Sequence, residues 1–267
     1  MKLPPLYAGR LVRRYKRFLA DIETPQGPIT AHCPNTGAMS GCAEPDSRVW
    51  YSISDNPKRK YAATLELVET AGGLCSVNTG RANHLVAEAL TTGPLRERLG
   101  SGRLRAEVKV PDTSSRFDFC IEVADPEAEA AGESRISEYI EVKSVTLLQT
   151  DGWGAFPDAV SDRATRHIQE LVRQLEMGRR ATLVFCTQHA GITKICPAAA
   201  IDPTYAEQLV LAHSLGVQVL ALGINFALAD DTTPLSSTAD RLIPFDPRGP
   251  QNGAAVSAQE SAARNAL

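Results

Sequence analysis

The patterning of this chain changes character near Asn78, and no other feature narrows its fold as much. Upstream, residues 12–22, 29–33, 48–53 and 62–69 read as short β segments between turn signals such as Pro25-Gln26-Gly27 and Pro34-Asn35-Thr36-Gly37. About five short strands in so short a stretch suit a small barrel of the OB type. Downstream, residues 83–90 predict a helix with Asn83 as its cap and Leu85, Val86, Ala89 and Leu90 on one face. Strands at 104–110, 116–123 and 138–146 follow, then a helix at 158–177 and a buried strand at 181–186. A helix at 203–215, closed by Gly216, and a strand at 217–224 complete the series. This order implies a mixed sheet with helices packed on it. The aperiodic, acidic residues 124–138 are expected to form an exposed loop, and residues 248–267 a disordered tail.

Charge follows the same division. Residues 1–60 carry ten Lys/Arg against five acids, net +5, while the remainder carries 18 against 26, net −8. A basic module joined to a differently charged one is the expected organisation. No apolar run is long enough to cross a bilayer, and the N-terminus lacks the apolar segment of a secretory signal. The six cysteines form no C-x-x-C pair, which implies reduced thiols in a cytoplasmic protein. A zinc site from His32, Cys33, Cys42 and Cys75 is conceivable but lacks paired ligand spacing.

The chemistry resides in Asp118, Glu141 and Lys143. Positions 141 and 143 of a strand share a face, and a neighbouring strand carrying Asp118 would add a second carboxylate. Two carboxylates suit Mg²⁺ or Mn²⁺, which prefer hard oxygen ligands, and a nearby lysine could orient a bound water. This is the D…E-x-K pattern of a PD-(D/E)xK nuclease-like domain, with Glu88 on the preceding helix as an extra ligand or supporting acid. A second E-x-K, Glu107-Val108-Lys109, has no aspartate on a preceding strand. The competing reading of Glu141 and Lys143 is an exposed ion pair. On the helix after this strand, Arg163, Arg166 and His167 either meet phosphate or form a solvated face. DNA contacts are also expected from Arg13, Arg14, Tyr15, Lys16 and Arg17, beside Phe18, and from Lys58, Arg59 and Lys60 beside Tyr61. His32 reads as a packed or hydrogen-bonded residue.

Several of these segments resemble the sugar fermentation stimulation protein A (SfsA) family. They are residues 13–21, His32-Cys33-Pro34-Asn35-Thr36-Gly37, Asn56-Pro57-Lys58-Arg59-Lys60-Tyr61, Val77-Asn78-Thr79, residues 141–147 and Phe156-Pro157-Asp158-Ala159-Val160. The likeness runs in order from about residue 5 to about 245. It implies an N-terminal OB-fold, a C-terminal PD-(D/E)xK-like domain, DNA binding with little sequence preference, and a regulatory link to maltose metabolism. Three segments depart from the pattern: the residues before His167, the residues after Gln188, and a longer acidic loop at 124–138.

The expected fold is therefore α+β in two domains, an OB-fold-like β-barrel over 1–82 and a PD-(D/E)xK nuclease-like mixed sheet over 83–247. The expected function is a DNA-binding protein, on single or double strands, with a metal-dependent nuclease site. The alternative is a non-catalytic DNA-binding regulator. A metabolite enzyme has little support, since no P-loop, G-x-G-x-x-G or nucleophile elbow is present.

Overall fold

The computed structural model describes residues 1–250 except 101, 112, 114, 125–133 and 230–232. Six strands open the chain: β1 (Tyr7–Tyr15), β2 (Leu19–Glu23), β3 (Ile29–His32), β4 (Arg48–Ile53), β5 (Ala63–Thr70) and β6 (Gly73–Ser76). They run in the order β3-β2-β1-β4-β5-β6, and a parallel contact between His32 of β3 and Thr64 of β5 closes the first five into a barrel. Its inside is filled by Leu11, Ile22, Val49, Leu65 and Val68, with Cys33, Cys42, Cys75 and Met39 packed among them. Curling needs close strand approach, and Gly9 supplies it: a Cβ there would lie 2.5 Å from Ile22. The N-terminal half is an OB domain, as the patterning predicts. Residues 12–22, however, are not one segment but the hairpin of β1 and β2.

The second half begins with α1 (Gly80–Thr92) and α2 (Pro94–Leu99). β7 (Arg103–Lys109), β8 (Arg116–Ala124) and β9 (Ser134–Val145) follow, then the short β10 (Leu147–Leu148) and β11 (Trp153–Phe156). The chain continues through α3 (Asp162–Glu176), β12 (Arg180–Thr187), β13 (Lys194–Pro197), α4 (Pro203–Ser214), β14 (Gln218–Leu228) and β15 (Pro234–Leu242). The main sheet is mixed, in the order β15-β14-β12-β9-β8-β7, with β9, β12 and β14 mutually parallel. β12 is buried on both faces, which explains its unbroken apolar run. One face packs on α1 and α2 through Leu85, Val86, Ile140 and Val142. The other packs on α3 and α4 through Tyr139, Ile168, Leu171, Phe185, Tyr205 and Leu209. The two halves are joined where β6 meets residues 188–190: Ser76 donates to the Gln188 carbonyl at 2.7 Å and Ala190 to that of Leu74 at 2.8 Å.

Several expectations are corrected. α1 starts at Gly80 after Thr79, so Asn83 is an interior residue rather than the cap. α3 starts at Asp162, not 158, because Ser161 caps it by accepting from the Ala164 amide at 3.2 Å. Residues 134–138 belong to β9 and Ala124 to β8, so the segment read as an acidic loop is strand at both ends; its residues 125–133, and residues 251–267 of the expected tail, lie outside the described residues. Elements α2, β6, β10, β11, β13 and β15 were not anticipated.

Candidate functional site

The antiparallel β8–β9 ladder, bulged between Ile121 and Glu122, runs only as far as Phe119 opposite Ile140. One step on, at Asp118, the strands part. Phe117 and Phe119 are two positions apart and should share a face, yet they pack into opposite cores. The strand therefore turns over at Asp118, and Glu107 on β7, between the paired residues Ala106 and Val108, adopts φ 54°. The Asp118 side chain takes over the lost backbone bonding: its Oδ2 accepts from the Val142 amide at 2.8 Å. Its Oδ1 accepts from Asn83 Nδ2 on α1, also at 2.8 Å.

Beyond this fork, Glu141 and Lys143 project from β9 on the α3–α4 side. Lys143 Nζ donates to Glu141 Oε1 at 2.6 Å. His167 Nδ1, from α3, meets the same oxygen and stands 3.1 Å from Lys143 Nζ. One ring nitrogen cannot at once donate to Glu141 and accept from Lys143, so in any one state only one of these contacts is a hydrogen bond. The side chains of Glu141, Lys143 and His167 are 4%, 11% and 16% exposed, so this is a buried cluster and not the surface ion pair of the competing reading. Glu141 Oε2 is buried without a hydrogen-bond partner among the described residues, as is the Tyr205 hydroxyl on α4.

The electrostatics separate the two acids. Burial pushes the Asp118 carboxyl up, and repulsion from Glu141 adds to it; the Val142 amide, Asn83 and Lys143 offset only part. Burial also pushes Glu141 up, but Lys143 and His167 outweigh it and hold that group below its usual range. The Tyr205 hydroxyl is pushed well up by burial, and the negative charges of Glu141 and Asp202 add to the shift.

The other sequence-predicted residues lie elsewhere. Glu88 does not join the cluster: it is exposed and pairs with the Met1 amino group at 2.9 Å. Glu107 is exposed on β7, 3.6 Å from Arg116. Arg163 and Arg166 are exposed on α3, while His167 turns inward to Glu141 rather than outward to solvent. Arg13 pairs with Asp21 at 2.9 Å, and the Tyr15 hydroxyl donates to Asp21 at 3.1 Å. Arg14 is placed as a structural clamp. Its guanidinium donates to the carbonyls of Arg17, Asn35, Gly37 and Ala38 at 2.7–3.3 Å. Lys16, Arg17, Lys58, Arg59 and Lys60 are exposed. Among the described residues no group of three or more His, Cys, Asp or Glu is placed to hold a metal, so neither the zinc site from His32, Cys33, Cys42 and Cys75 nor a closed all-protein cage is formed.

Sequence reasoning missed the residues that brace the site. Glu66, buried in β5, accepts from Ser52 at 2.8 Å, from Asn78 at 2.9 Å and from Arg81 at 2.9 Å, tying the barrel to the start of α1. Thr79 Oγ1 donates to the Pro34 carbonyl at 2.8 Å. The Met39 amide donates to Asp158 Oδ2 at 3.1 Å, and a Cβ on Gly37 would collide with that carboxylate. Residues 34–39 thus lie between the start of α1, which holds Asp118 through Asn83, and the segment leading into α3, which holds Glu141 through His167. The available signal was that these polar, Gly-containing segments stand in long specific motifs where a plain turn would need far less.

Family models match both halves: the SfsA N-terminal OB domain over residues 12–77 and the sugar fermentation stimulation protein RE domain over residues 80–230. This chain belongs to the SfsA family. It is 50% identical over 221 residues to a sugar fermentation stimulation protein homolog of Shewanella loihica, covering 82% of this chain and 90% of that protein. A homolog from Thioalkalivibrio sulfidiphilus is 49% identical over the same length, covering 82% and 89%. The solved structure of Pyrococcus furiosus SfsA in complex with Ca²⁺ has the same fold, with a TM-score of 0.75, 24% identity, and coverage of 92% of this chain and 98% of that one. No helix among the described residues is long and apolar enough to cross a membrane.

Proposed function

We propose that this SfsA-family chain is a DNA-binding protein with a divalent-metal-dependent phosphodiester-hydrolysing site of the PD-(D/E)xK kind. The observation that carries the reading is the convergence of Asp118, Glu141 and Lys143 where β8 and β9 part, with a buried Glu141 oxygen that meets no donor among the described residues. The donor set fits a hard divalent cation: two carboxylates whose mutual repulsion raises Asp118, and an oxygen free to ligate. With few protein ligands, such a site keeps several waters, which suits Mg²⁺ or Mn²⁺; the Ca²⁺ bound by the archaeal relative is of the same ligand preference. Asp118 and Glu141 would hold the ion, which when bound polarises the phosphodiester and acidifies a water. Lys143 orients that water or meets charge developing on phosphorus, and His167 fixes the position of Glu141. Asn83 and the Val142 amide aim Asp118. The barrel supplies affinity through exposed cations that neutralise backbone phosphates. The six cysteines are free thiols, which supports a reducing compartment, the cytoplasm.

A second reading, a non-catalytic DNA-binding regulator linked to maltose metabolism, is favoured by one observation. Lys143 and His167 both close on Glu141 Oε1, an arrangement that neutralises the acid without a metal. One experiment separates the two. Labelled single- and double-stranded DNA are incubated with the protein in Mg²⁺, Mn²⁺ or EDTA, following binding and cleavage together. Metal-dependent cleavage lost in Asp118→Ala and Lys143→Ala, with binding intact, establishes the nuclease. Binding without cleavage in every metal leaves the regulator, and absence of binding at low salt sinks both.

A further inference from the structure

Behind the fork, two buried polar atoms are left without partners among the described residues: Glu141 Oε2 on β9 and the Tyr205 hydroxyl on α4. Buried polar atoms are nearly always bonded, so such a pair calls for a cause. The groups around them are already spent. Lys143 and His167 both meet Glu141 Oε1, and Asp118 is held by the Val142 amide and Asn83. Asp202, the other carboxylate whose charge reaches Tyr205, is taken up by backbone. Its Oδ1 accepts from the Tyr205 amide and its Oδ2 from the Ser161 amide, both at 2.9 Å.

The fold carries Tyr205 to the Glu141 side of the sheet. Asp202 caps α4 and also takes the amide of Ser161, the cap of α3. The helices that bear Tyr205 and His167 therefore begin on one shared carboxylate. The Tyr205 ring packs edge-on against Phe156 at 5.3 Å, and Phe156 lies 5.7 Å from Phe185. Phe185 stands opposite Lys143, and Leu183 opposite Glu141, in the parallel register of β12 and β9. Residues 183 and 185, like 141 and 143, share a face, so the ring lies on the side from which Glu141 and Lys143 project. Burial pushes the Tyr205 hydroxyl well above its usual range and the charge of Glu141 adds to it, so the proton stays on oxygen and is available for donation.

Resting on the metal-site reading above, we propose that Tyr205 is a positioning residue for the divalent ion: its hydroxyl donates to Glu141 Oε2 and sets the carboxylate that the ion meets. The terminal torsion of a glutamate is broad and roughly two-fold, so Oε2 can turn to the hydroxyl while Oε1 stays with Lys143 and His167. A carboxylate oxygen carries two lone pairs, and one remains for a cation. Partners of this kind orient a metal ligand without touching the metal. Tyr139 supplies the contrast. Its hydroxyl is buried and unpartnered in the same core, on β9 two residues before Glu141, but the charged side chains that bear on it are Arg179, Glu170 and Arg105.

The test is a Mn²⁺ titration of the whole protein without DNA, with free Mn²⁺ read by its electron paramagnetic resonance signal. Tyr205→Phe keeps the ring against Phe156 and deletes only the hydroxyl. It is expected to weaken Mn²⁺ binding about tenfold or more, whereas Tyr139→Phe, the same deletion at the other unpartnered hydroxyl, should stay within about twofold. Mg²⁺ added to the wild type should also perturb the near-ultraviolet absorbance of tyrosine, a reading that needs no variant to fold. Unchanged Mn²⁺ affinity in Tyr205→Phe, equal weakening in both variants, or ion binding without a tyrosine signal overturns the role of Tyr205 and leaves the metal site standing. A wild type that takes up neither ion overturns the metal-site reading as well.

Discussion

The barrel and the sheet domain use charge in opposite ways. On the loops of the barrel Lys16, Arg17, Lys58 and Lys60 are exposed, each able to meet a phosphate independently. At the sheet fork Glu141, Lys143 and His167 are largely buried and fix one another's positions, while Asp118 is held by the Val142 amide and Asn83. Exposed cations act through counterion release, so their effects add and each is replaceable. Buried charges are mutually dependent, since removal of one leaves another uncompensated in a poorly solvated place. Affinity is therefore expected to be spread over many residues and chemistry concentrated in a few.

The sharpest way to break that contrast is Asp118→Ala. On the proposed nuclease reading, metal-dependent cleavage should fall about a thousandfold or more, because the proposed ligand and the brace on Val142 disappear together. Affinity for oligo-dT in EDTA should stay within about twofold, since the exposed cations proposed to supply it are untouched. A comparable loss of binding would mean that the two regions do not divide the work.

Next in size is a residue that joins the regions. Glu66→Ala leaves Arg81 partly buried without its carboxylate and strands Asn78 and Ser52. It should destabilise the protein by about 3–5 kcal/mol in urea unfolding. A loss below about 1 kcal/mol would show that the junction is held by apolar contacts alone.

The fork was partly legible in sequence because strand periodicity is rigid: Glu141 and Lys143 had to share a face. Asp118 needed only the neighbouring register. The inward turn of His167 was hidden because helical spacing identifies a face but cannot say that a polar face turns inward, and only Glu141 across the gap reveals it. The Arg14 clamp was hidden likewise, since its carbonyl acceptors lie 21–24 residues away on a loop, apart from Arg17 nearby. The β1–β2 hairpin escaped because its turn carries Lys-Arg in place of Asn-Gly. Strand β15 escaped because its sequence, Pro-Leu-Ser-Ser-Thr-Ala-Asp-Arg-Leu, is largely polar. The contacts that join the two regions were the least visible, since pairs such as Met39–Asp158 and Thr70–His189 stand 119 residues apart.

Acid tests the junction from another side. His189 Nδ1 accepts from the Gly191 amide at 3.0 Å, so the ring is neutral with its proton on Nε2, directed at Thr70 Oγ1 2.9 Å away. Burial pulls its pKa down to about 4 from 6.5. The folded state thus binds this proton less readily than the unfolded chain. The contribution is full above the unfolded value of 6.5 and is lost as pH falls through 4. The full span amounts to about 3 kcal/mol. Urea unfolding of wild type against His189→Asn, whose Oδ1 can replace the Nδ1 acceptor, should show the wild type losing more stability over that window. Parallel profiles would mean that His189 does not carry the acid sensitivity.

The smallest effect is the most discriminating for the comparison, because it sets two neighbouring basic residues of one turn against each other. Arg14→Ala removes the clamp on four carbonyls and should lower stability by about 2 kcal/mol in urea, with the salt slope of oligo-dT binding nearly unchanged. Lys16→Ala, two residues on and exposed, should leave stability unchanged and lower that slope by about 0.7. The prediction distinguishes a cation used internally from one used on a partner, although both stand in the same basic run. If Arg14→Ala lowers the slope as Lys16→Ala does, its guanidinium reaches phosphate after all, and the boundary between structural and DNA-facing charge must move one strand inward.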